Sequence, residues 1–229
     1  MAAHPRVQDG LSDAIEDYAK AIYALQRRAG HAVTTNALAE RLGVTPSSAS
    51  AMVKKLADRG LVRHERYHGV ELTPAGTRVA LEVLRHHRLL ELYLAEHLGV
   101  PWDRVHEEAE ALEHVLSEDL EARIAAKLGQ PTHDPHGDPI PSPDLTIDEE
   151  DTRSLASLDV GDHGVFVRVS DSDPSMLRYL DERGVRLGDE IEVLDRQPFG
   201  GPLTARFGDD AQVLGGELAT VIRVRLEPA

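Results

Sequence analysis

Residues 35–72 read TNALAERLGVTPSSASAMVKKLADRGLVRHERYHGVEL, and this stretch carries the strongest structural signal in the chain. Its first eight residues have the apolar spacing of a short helix that ends at Gly43. A second helix opens at Thr45-Pro46, where a proline costs no hydrogen bond because it occupies the first turn. Two short β-compatible runs, 61–65 and 70–72, follow. Helix, tight turn, helix and hairpin in this order predict a winged helix-turn-helix.

The second of these helices has the residue types of a DNA-recognition helix. Short polar side chains stand near its N-terminus, where they can meet base edges, and basic side chains follow, where they can meet phosphates. Arg63 and His68, in the predicted wing, could also reach the DNA backbone. An ordinary solvated helix with capping serines remains the alternative. The candidate DNA-binding residues are Thr45, Pro46, Ser47, Ser48, Ser50, Lys54, Lys55, Arg59 and Arg66.

The charge of the chain is unevenly distributed. The net charge is −15 at pH 7, but residues 1–76 hold 10 Lys and Arg against 8 Asp and Glu, whereas residues 131–229 hold 9 against 21. Because a local patch steers a charged ligand more than the total charge does, an acidic protein of this kind can still meet DNA through its N-terminal part.

The rest of the chain predicts two further regions. A helix over residues 12–28 precedes the quoted stretch, and two long helices, about 74–98 and 102–128, follow it. Residues 130–151 hold 5 prolines and 7 acids, which favours an extended linker. Short alternating runs then predict strands at 164–169, 190–194, 203–207 and 219–226, with a helix at 176–182.

The expected fold class is therefore mainly α with a small β domain. We predict a winged helix-turn-helix domain over 1–76, dimerisation and metal-binding helices with the start of the linker over 77–141, and the acidic linker with a small β-barrel over 142–229. The paired helices leave apolar surface for a second subunit, so a homodimer is expected.

Composition excludes several classes of function. The chain of 229 residues contains no cysteine, which excludes disulfides, zinc–thiolate sites, iron–sulfur clusters and cysteine nucleophiles. No run of about 18–20 apolar residues is present, and the N-terminus lacks the apolar core of a signal peptide. We expect a cytoplasmic protein that has no membrane partner.

A group of histidines and carboxylates has the spacing of a metal site. His106, Glu110, Glu113 and His114 would share one face of a single helix, and His87 lies one turn before Glu91 on the helix preceding it. Asp17, on the first helix, could close the site. Oxygen and nitrogen donors without sulfur suit Mn²⁺, Fe²⁺, Co²⁺ or Zn²⁺, and a carboxylate-rich set favours Mn²⁺. A solvated acidic face with incidental histidines is the alternative.

An enzyme is the rival class of function. The stretch Glu110–His114 resembles an inverted zinc-protease motif, but Glu110 stands where that motif needs histidine. No Gly-x-Ser-x-Gly elbow or glycine-rich phosphate loop accompanies it. We therefore expect no enzymatic activity and no small-molecule substrate.

The combined motifs resemble the diphtheria-toxin-repressor family of metal-dependent transcriptional regulators, and more closely its manganese-responsive branch in the long form with an SH3-like domain. The resemblance extends over nearly the whole chain. The motifs that carry it are Glu16-Asp17-Tyr18, Pro46-Ser47-Ser48, Met52–Leu56, Leu72–Gly76, His86–Glu91, Glu110–His114 with Ser117, and Asp134–Pro141.

The resemblance implies two metal sites. Iron-responsive members usually have Met and Cys at the positions of Asp17 and Glu110, so oxygen in place of sulfur favours Mn²⁺, with Fe²⁺, Co²⁺, Zn²⁺ or Cd²⁺ as substitutes. Some manganese regulators have Glu at the position of Lys20, which argues against a dinuclear centre of their type. The primary site would be Asp17, Glu110, Glu113 and His114; the ancillary site would be His87, Glu91 and His106, with Asp171 and Asp173 of the SH3-like domain as the nearest further acids.

The resemblance further implies a repressor of metal uptake or homeostasis genes, with the metal as co-repressor. Metal binding would fix the spacing of two recognition helices in a homodimer so that they fit a double-stranded palindromic operator. An iron-dependent regulator of the same family is one alternative. The other is a metal-independent winged-helix protein whose acidic helices bind a protein partner.

Overall fold

The computed structural model of the chain describes residues 11–65 and 69–226. The N-terminal helices are α1 (Asp13–Ala29), α2 (Thr35–Arg41) and α3 (Pro46–Asp58). The hairpin strands β1 (Val62–Glu65) and β2 (Gly69–Leu72) pair antiparallel. The predicted order of helices and hairpin is confirmed.

Local sequence explains where the helix pair begins. Thr34 caps α2 by accepting a hydrogen bond from the backbone of Ala37, and Thr45 caps α3 by accepting one from Ser48. The apolar faces of the three helices and of the hairpin share one core. Its fully buried members include Ile15, Ile22, Leu38, Ala49, Val53, Leu56 and Val70.

The long helix α4 (Pro74–Leu98) agrees with the sequence prediction, but the single helix predicted over 102–128 is wrong. The structure has α5 (Val105–Leu112) and α6 (Glu118–Lys127), with a turn between them. Ser117 starts a new helix because its side chain accepts a hydrogen bond from the backbone N–H of Leu120, and three acids follow in the first turn of α6. Residues 113 and 114 therefore lie in a turn.

The proline-rich segment has neither helix nor strand, but it is more than a linker. The Asp134 carboxylate accepts hydrogen bonds from the backbone of His136 and Asp138, which folds the chain into a turn, and an isolated bridge joins His133 to Pro139. Asp134, His136 and Ile140 are buried. The prediction of an extended linker is wrong for these residues.

The C-terminal region forms a six-stranded antiparallel sheet, which confirms the expected small β domain. Its elements are β3 (Arg153–Ser154), a 3₁₀ turn (Leu155–Ser157), β4 (His163–Val169), α7 (Pro174–Asp181), β5 (Glu190–Arg196), β6 (Leu203–Phe207), β7 (Asp210–Leu214), α8 (Gly216–Val221) and β8 (Ile222–Leu226). The strand order in the sheet is β3-β8-β4-β5-β6-β7. The residues predicted as a strand from 219 begin instead in a helix, since α8 extends to Val221.

The chain divides into two compact units. The first comprises residues 1–89, 110–130 and 141–146, and the second comprises 90–109, 131–140 and 147–229. The core of the second unit includes Phe166, Leu180 and Ile191. Among the helices that the structure describes, none combines the length and the apolar character that crossing a bilayer requires.

Candidate metal centres and nucleic-acid interface

The first unit brings together a carboxylate from α1 and two side chains from the turn after α5. Asp17, Glu113 and His114 each offer a ligand atom within 4.8 Å of the other two. His114 Nε2 lies 2.9 Å from Asp17 Oδ1 and 3.5 Å from Glu113 Oε1. Three of the four residues expected at the primary site are thus grouped by the fold.

A buried carboxylate that the sequence analysis did not single out orients His114. The other ring nitrogen, Nδ1, lies 2.7 Å from Glu16 Oε2, and Glu16 is buried on α1. Hydrogen bonds to Asp17 and Glu16 raise the pKa of His114 to about 10, so both ring nitrogens donate in the metal-free protein. This is the carboxylate–histidine arrangement that holds metal-ligating imidazoles in orientation.

The fourth residue of the expected set, Glu110, pairs with a lysine. Lys20 Nζ lies 2.6 Å from Glu110 Oε1 and 2.5 Å from Glu113 Oε1. Burial acts to lower the pKa of Lys20, but the two carboxylates outweigh it and the pKa is raised. The ammonium group of Lys20 therefore lies between two of the expected metal ligands, Glu110 and Glu113.

His87 lies beside Glu113, and its assignment to the ancillary group stays a prediction. Its Nδ1 is 2.5 Å from Glu113 Oε2 and 4.0 Å from Glu110 Oε1. Burial would raise the pKa of Glu113, but His87 and Lys20 stabilise the ionised form and hold the pKa below its ordinary value. Glu113 thus contacts Lys20 with one oxygen and His87 with the other.

The second unit contains a separate cluster of Glu91, His106 and Asp171. His106 Nδ1 lies 3.0 Å from Asp171 Oδ2 and 3.3 Å from Glu91 Oε1. The hydrogen bonds to Asp171 and then to Glu91 raise the pKa of His106 to about 10. Asp171, which the sequence offered as one of two acids, is in this cluster.

Asp173 is not part of the cluster. Its carboxylate caps α7, because it accepts hydrogen bonds from both the backbone and the hydroxyl of Ser175. The expectation that Asp173 supplies a ligand is therefore not supported by its position, and the reason is this competing local role.

Two buried residues that sequence reasoning missed approach the same Glu91. Glu91, Asp134 and His136 offer ligand atoms within 4.8 Å of one another. His136 Nε2 is 2.7 Å from the carbonyl oxygen of Trp102, so this nitrogen donates. His136 Nδ1 then carries a lone pair 3.9 Å from Glu91 Oε2, and it forms no hydrogen bond with the residues that the structure describes.

The predicted recognition helix, α3, and its flanking residues present the predicted DNA-binding side chains from Thr45 to Arg59 to solvent. Its buried face is Ala49, Val53 and Leu56, and the predicted contacts from Thr45 to Arg59 are exposed. Thr45 also has a structural role, since its hydroxyl lies 2.9 Å from the hydroxyls of Ser47 and Ser48. Arg63 is exposed on β1, whereas Arg66 and His68 lie outside the described residues.

The basic residues of α3 are available for a partner. Within residues 11–65 and 69–226, no carboxylate forms an ion pair with Lys54, Lys55 or Arg59. The exposed lysine and arginine side chains can contact phosphates, while the hydroxyls near the N-terminus of α3 can contact base edges.

Comparison with protein families gives matches along most of the chain. Residues 10–70 match the iron dependent repressor N-terminal DNA binding domain, 73–142 the iron dependent repressor metal binding and dimerisation domain, and 153–226 the FeoA domain. The iron-dependent repressor IdeR of Mycobacterium tuberculosis (strain ATCC 25618 / H37Rv) is 32% identical over an alignment of 226 residues that covers 93% of this chain and 97% of the relative. The chain belongs to the iron-dependent repressor family. Members of this family are transcriptional repressors and not enzymes.

One further relative and a solved structure agree with this assignment. The diphtheria toxin repressor of Corynebacterium diphtheriae (strain ATCC 700971 / NCTC 13129 / Biotype gravis) is 30% identical, with 93% of this chain and 97% of the relative covered. A structure described as a manganese-dependent transcriptional repressor in complex with manganese is 44% identical, has a TM-score of 0.88 and covers 93% of this chain and 100% of its own. The resemblance to the diphtheria-toxin-repressor family is confirmed.

Proposed function

We propose that this iron-dependent repressor family member uses Mn²⁺ as its co-repressor. The observation that carries the proposal is the donor set of the first cluster, in which Asp17, Glu113 and His114 offer only oxygen and imidazole nitrogen. Carboxylate-rich sets suit Mn²⁺, and softer sulfur donors suit other metals. Relatives named for iron and a similar structure named for manganese leave the metal open, so donor chemistry is the better guide.

The charges around the cluster explain how the metal-free state is balanced. Lys20 and protonated His114 neutralise carboxylates that would otherwise repel one another. A divalent cation bound by Asp17, Glu113 and His114 replaces this neutralisation, with Glu110 as a further ligand. Because His114 must lose a proton to coordinate, metal affinity rises with pH.

The second cluster is proposed as the ancillary site. Glu91, His106 and Asp171 supply its side chains, and buried Asp134 and His136 extend the set around Glu91. The lone pair on His136 Nδ1 is already oriented by the hydrogen bond from Nε2 to Trp102, as in other metal-ligating histidines.

The position of Asp17 connects metal binding to DNA binding. Asp17 lies on α1, whose apolar face shares a core with α2 and α3, while Glu113 and His114 lie beyond α4. Binding one ion through all three side chains joins the DNA-reading helices to the helices of the dimerisation domain. In a homodimer this fixes the separation of the two recognition helices, as a palindromic operator requires.

The regulated genes are proposed to be those for manganese uptake or homeostasis. The test is binding to a palindromic promoter fragment with metal chelated, and then with free Mn²⁺ or Fe²⁺ buffered at equal concentrations without oxygen. The proposal expects tight binding with Mn²⁺ and weak binding with chelator. Restoration of DNA binding by Fe²⁺ alone would favour the iron-dependent alternative. DNA binding that is unchanged by chelation would favour the metal-independent alternative.

A further inference from the structure

A third cluster of histidine and carboxylates lies in the first unit, outside both sites described above. His86 on α4 is fully buried, and Glu118 and Glu121 stand one turn apart at the start of α6. His86 Nε2 is 3.5 Å from Glu118 Oε1 and 3.4 Å from Glu121 Oε2. One ligand atom from each residue lies within 4.8 Å of the other two.

The tautomer of His86 is set by its second nitrogen. Nδ1 lies 3.3 Å from the carbonyl oxygen of Glu113, and because a carbonyl can only accept, Nδ1 donates. Burial would lower the pKa of His86, but Glu118 and Glu121 raise it to about 9, so in the metal-free protein Nε2 carries a proton that faces the two carboxylates and that a bound cation would replace. Nε2 forms no hydrogen bond with any residue in the described part of the chain, although the side chain has 0% exposure.

The distances from His86 Nε2 to the two carboxylate oxygens fit ligands of a shared ion better than a direct hydrogen bond. Charge-assisted N–H···O hydrogen bonds are about 2.7–2.9 Å long, shorter than either separation observed here. Two atoms that each lie about 2.1 Å from one ion, at a tetrahedral angle, are about 3.4 Å apart. The two carboxylate oxygens therefore stand from Nε2 at the spacing of ligands around a common cation.

The neighbouring Arg85 holds one of the carboxylates, that of Glu121, in position. Arg85 Nε donates to Glu121 Oε1 at 2.7 Å, and Arg85 Nη1 donates to the carbonyl oxygen of Pro141 at 2.6 Å. Glu121 Oε2, the atom that faces His86, is thereby held in place. Hydrogen-bonded carboxylates of this kind are usual behind metal ligands. In the metal-free protein the imidazolium of His86 and the guanidinium of Arg85 balance the two carboxylates, and once the imidazole loses its proton one negative charge is left for a bound cation to balance.

We propose that His86, Glu118 and Glu121 form a third site, which binds a divalent transition-metal ion of the zinc type. The site joins α4 to the first turn of α6. Through the hydrogen bond from His86 to the Glu113 carbonyl, it also braces the turn that supplies the first cluster. The proposal does not depend on which metal regulates DNA binding, because it uses none of those ligands.

The test counts ions bound to the full chain. Wild type, Glu118→Gln, His86→Gln and the control Asp119→Asn are dialysed against buffered free Zn²⁺, and bound zinc per chain is measured by mass spectrometry. Asp119 is the matched control because it lies beside Glu118 on α6 and pairs only with exposed Arg123 in the described residues. Glu118→Gln and His86→Gln are expected to bind one ion fewer than wild type and Asp119→Asn.

Two further comparisons keep the result interpretable. Since His86 is fully buried and its replacement can impair folding, Glu118→Gln, with a side chain 32% exposed, decides the outcome. The loss of one ion is also expected when Glu118→Gln is added to Asp17→Asn, which separates this site from the first cluster. Equal zinc counts in all variants at every free concentration would overturn the proposal and leave an imidazolium–carboxylate contact.

Discussion

The ammonium of Lys20 lies 2.5 Å from Oε1 of Glu113, a carboxylate with no exposed surface. The lysine comes from α1 and the glutamate from the turn after α5, so this ion pair joins the same two parts of the chain that a bound metal would join. We therefore expect Lys20 to stabilise the metal-free protein and to compete with a bound metal for Glu110 and Glu113.

Replacing Lys20 by Met separates these two effects. Without its ammonium partner, Glu113 keeps a buried charge, and the metal-free protein is expected to lose about 3 kcal/mol of unfolding free energy, the lower end for breaking a buried ion pair. Mn²⁺ affinity is expected to rise, because a competing cation is gone. Urea unfolding in chelator and a Mn²⁺ titration measure both. Lys127→Met, at an exposed position on α6, is the control, and weaker Mn²⁺ binding by Lys20→Met would contradict this interpretation.

Glu16 is expected to act as a positioning residue for His114. In Glu16→Gln the charge behind His114 Nδ1 is lost while the shape is kept, so Mn²⁺ affinity should fall about 10- to 100-fold. Calorimetric titration measures the change. Asp13→Asn, an exposed acid on the same helix, should leave the affinity unchanged, and equal affinities in the two variants would show that Glu16 has no positioning role.

The raised pKa of His114 predicts how the metal-free protein responds to alkali. The folded-state pKa of about 10 lies above the unfolded value of about 6.5, so the protonated imidazole stabilises the fold fully below pH 6.5. This stabilisation decreases as pH rises toward 10. Unfolding free energy in chelator should therefore fall between pH 7 and pH 10, and less steeply in His114→Gln. The exposed His97→Gln is the control, and parallel pH profiles for wild type and His114→Gln would refute the assignment.

Lys54 and Lys55 are expected to contact phosphates. Replacing either by Ala should weaken binding to all DNA sequences similarly and reduce the salt dependence of log K by about 1, since one phosphate contact releases about one counterion. Anisotropy titrations at several salt concentrations measure the slope. Lys127→Ala should leave the slope unchanged. A loss confined to one sequence would mean that the lysine reads a base instead.

Much of the fold follows from local sequence. Thr45-Pro46 starts α3 because its capping chemistry is local, and the apolar periodicity of 74–98 gives α4 almost to the residue. The sequence also contains a signal for the break before Ser117, which is a capping serine followed by acids. The apolar periodicity of a helix continues through this position, so periodicity alone predicts one helix.

The candidate sites could be predicted from the sequence only in part, because they depend on tertiary contacts. Spacing along one helix indicates residues on a common face, such as Glu110 and His106, but it does not show which distant residues pair with them. Glu16 and Lys20 depend on how α1 packs, and Asp134 and His136 are buried by tertiary contacts in a segment whose composition resembles a linker.

We expect Asp17 to couple metal binding to DNA binding. The most direct measurement is the affinity of wild type, Asp17→Asn and the control Asp13→Asn for a palindromic promoter fragment at saturating free Mn²⁺. We predict that wild type and Asp13→Asn bind tightly only with Mn²⁺, while Asp17→Asn, folded normally by circular dichroism, binds about as weakly as chelated wild type. Tight Mn²⁺-dependent binding by Asp17→Asn would show that Asp17 does not couple the two binding events.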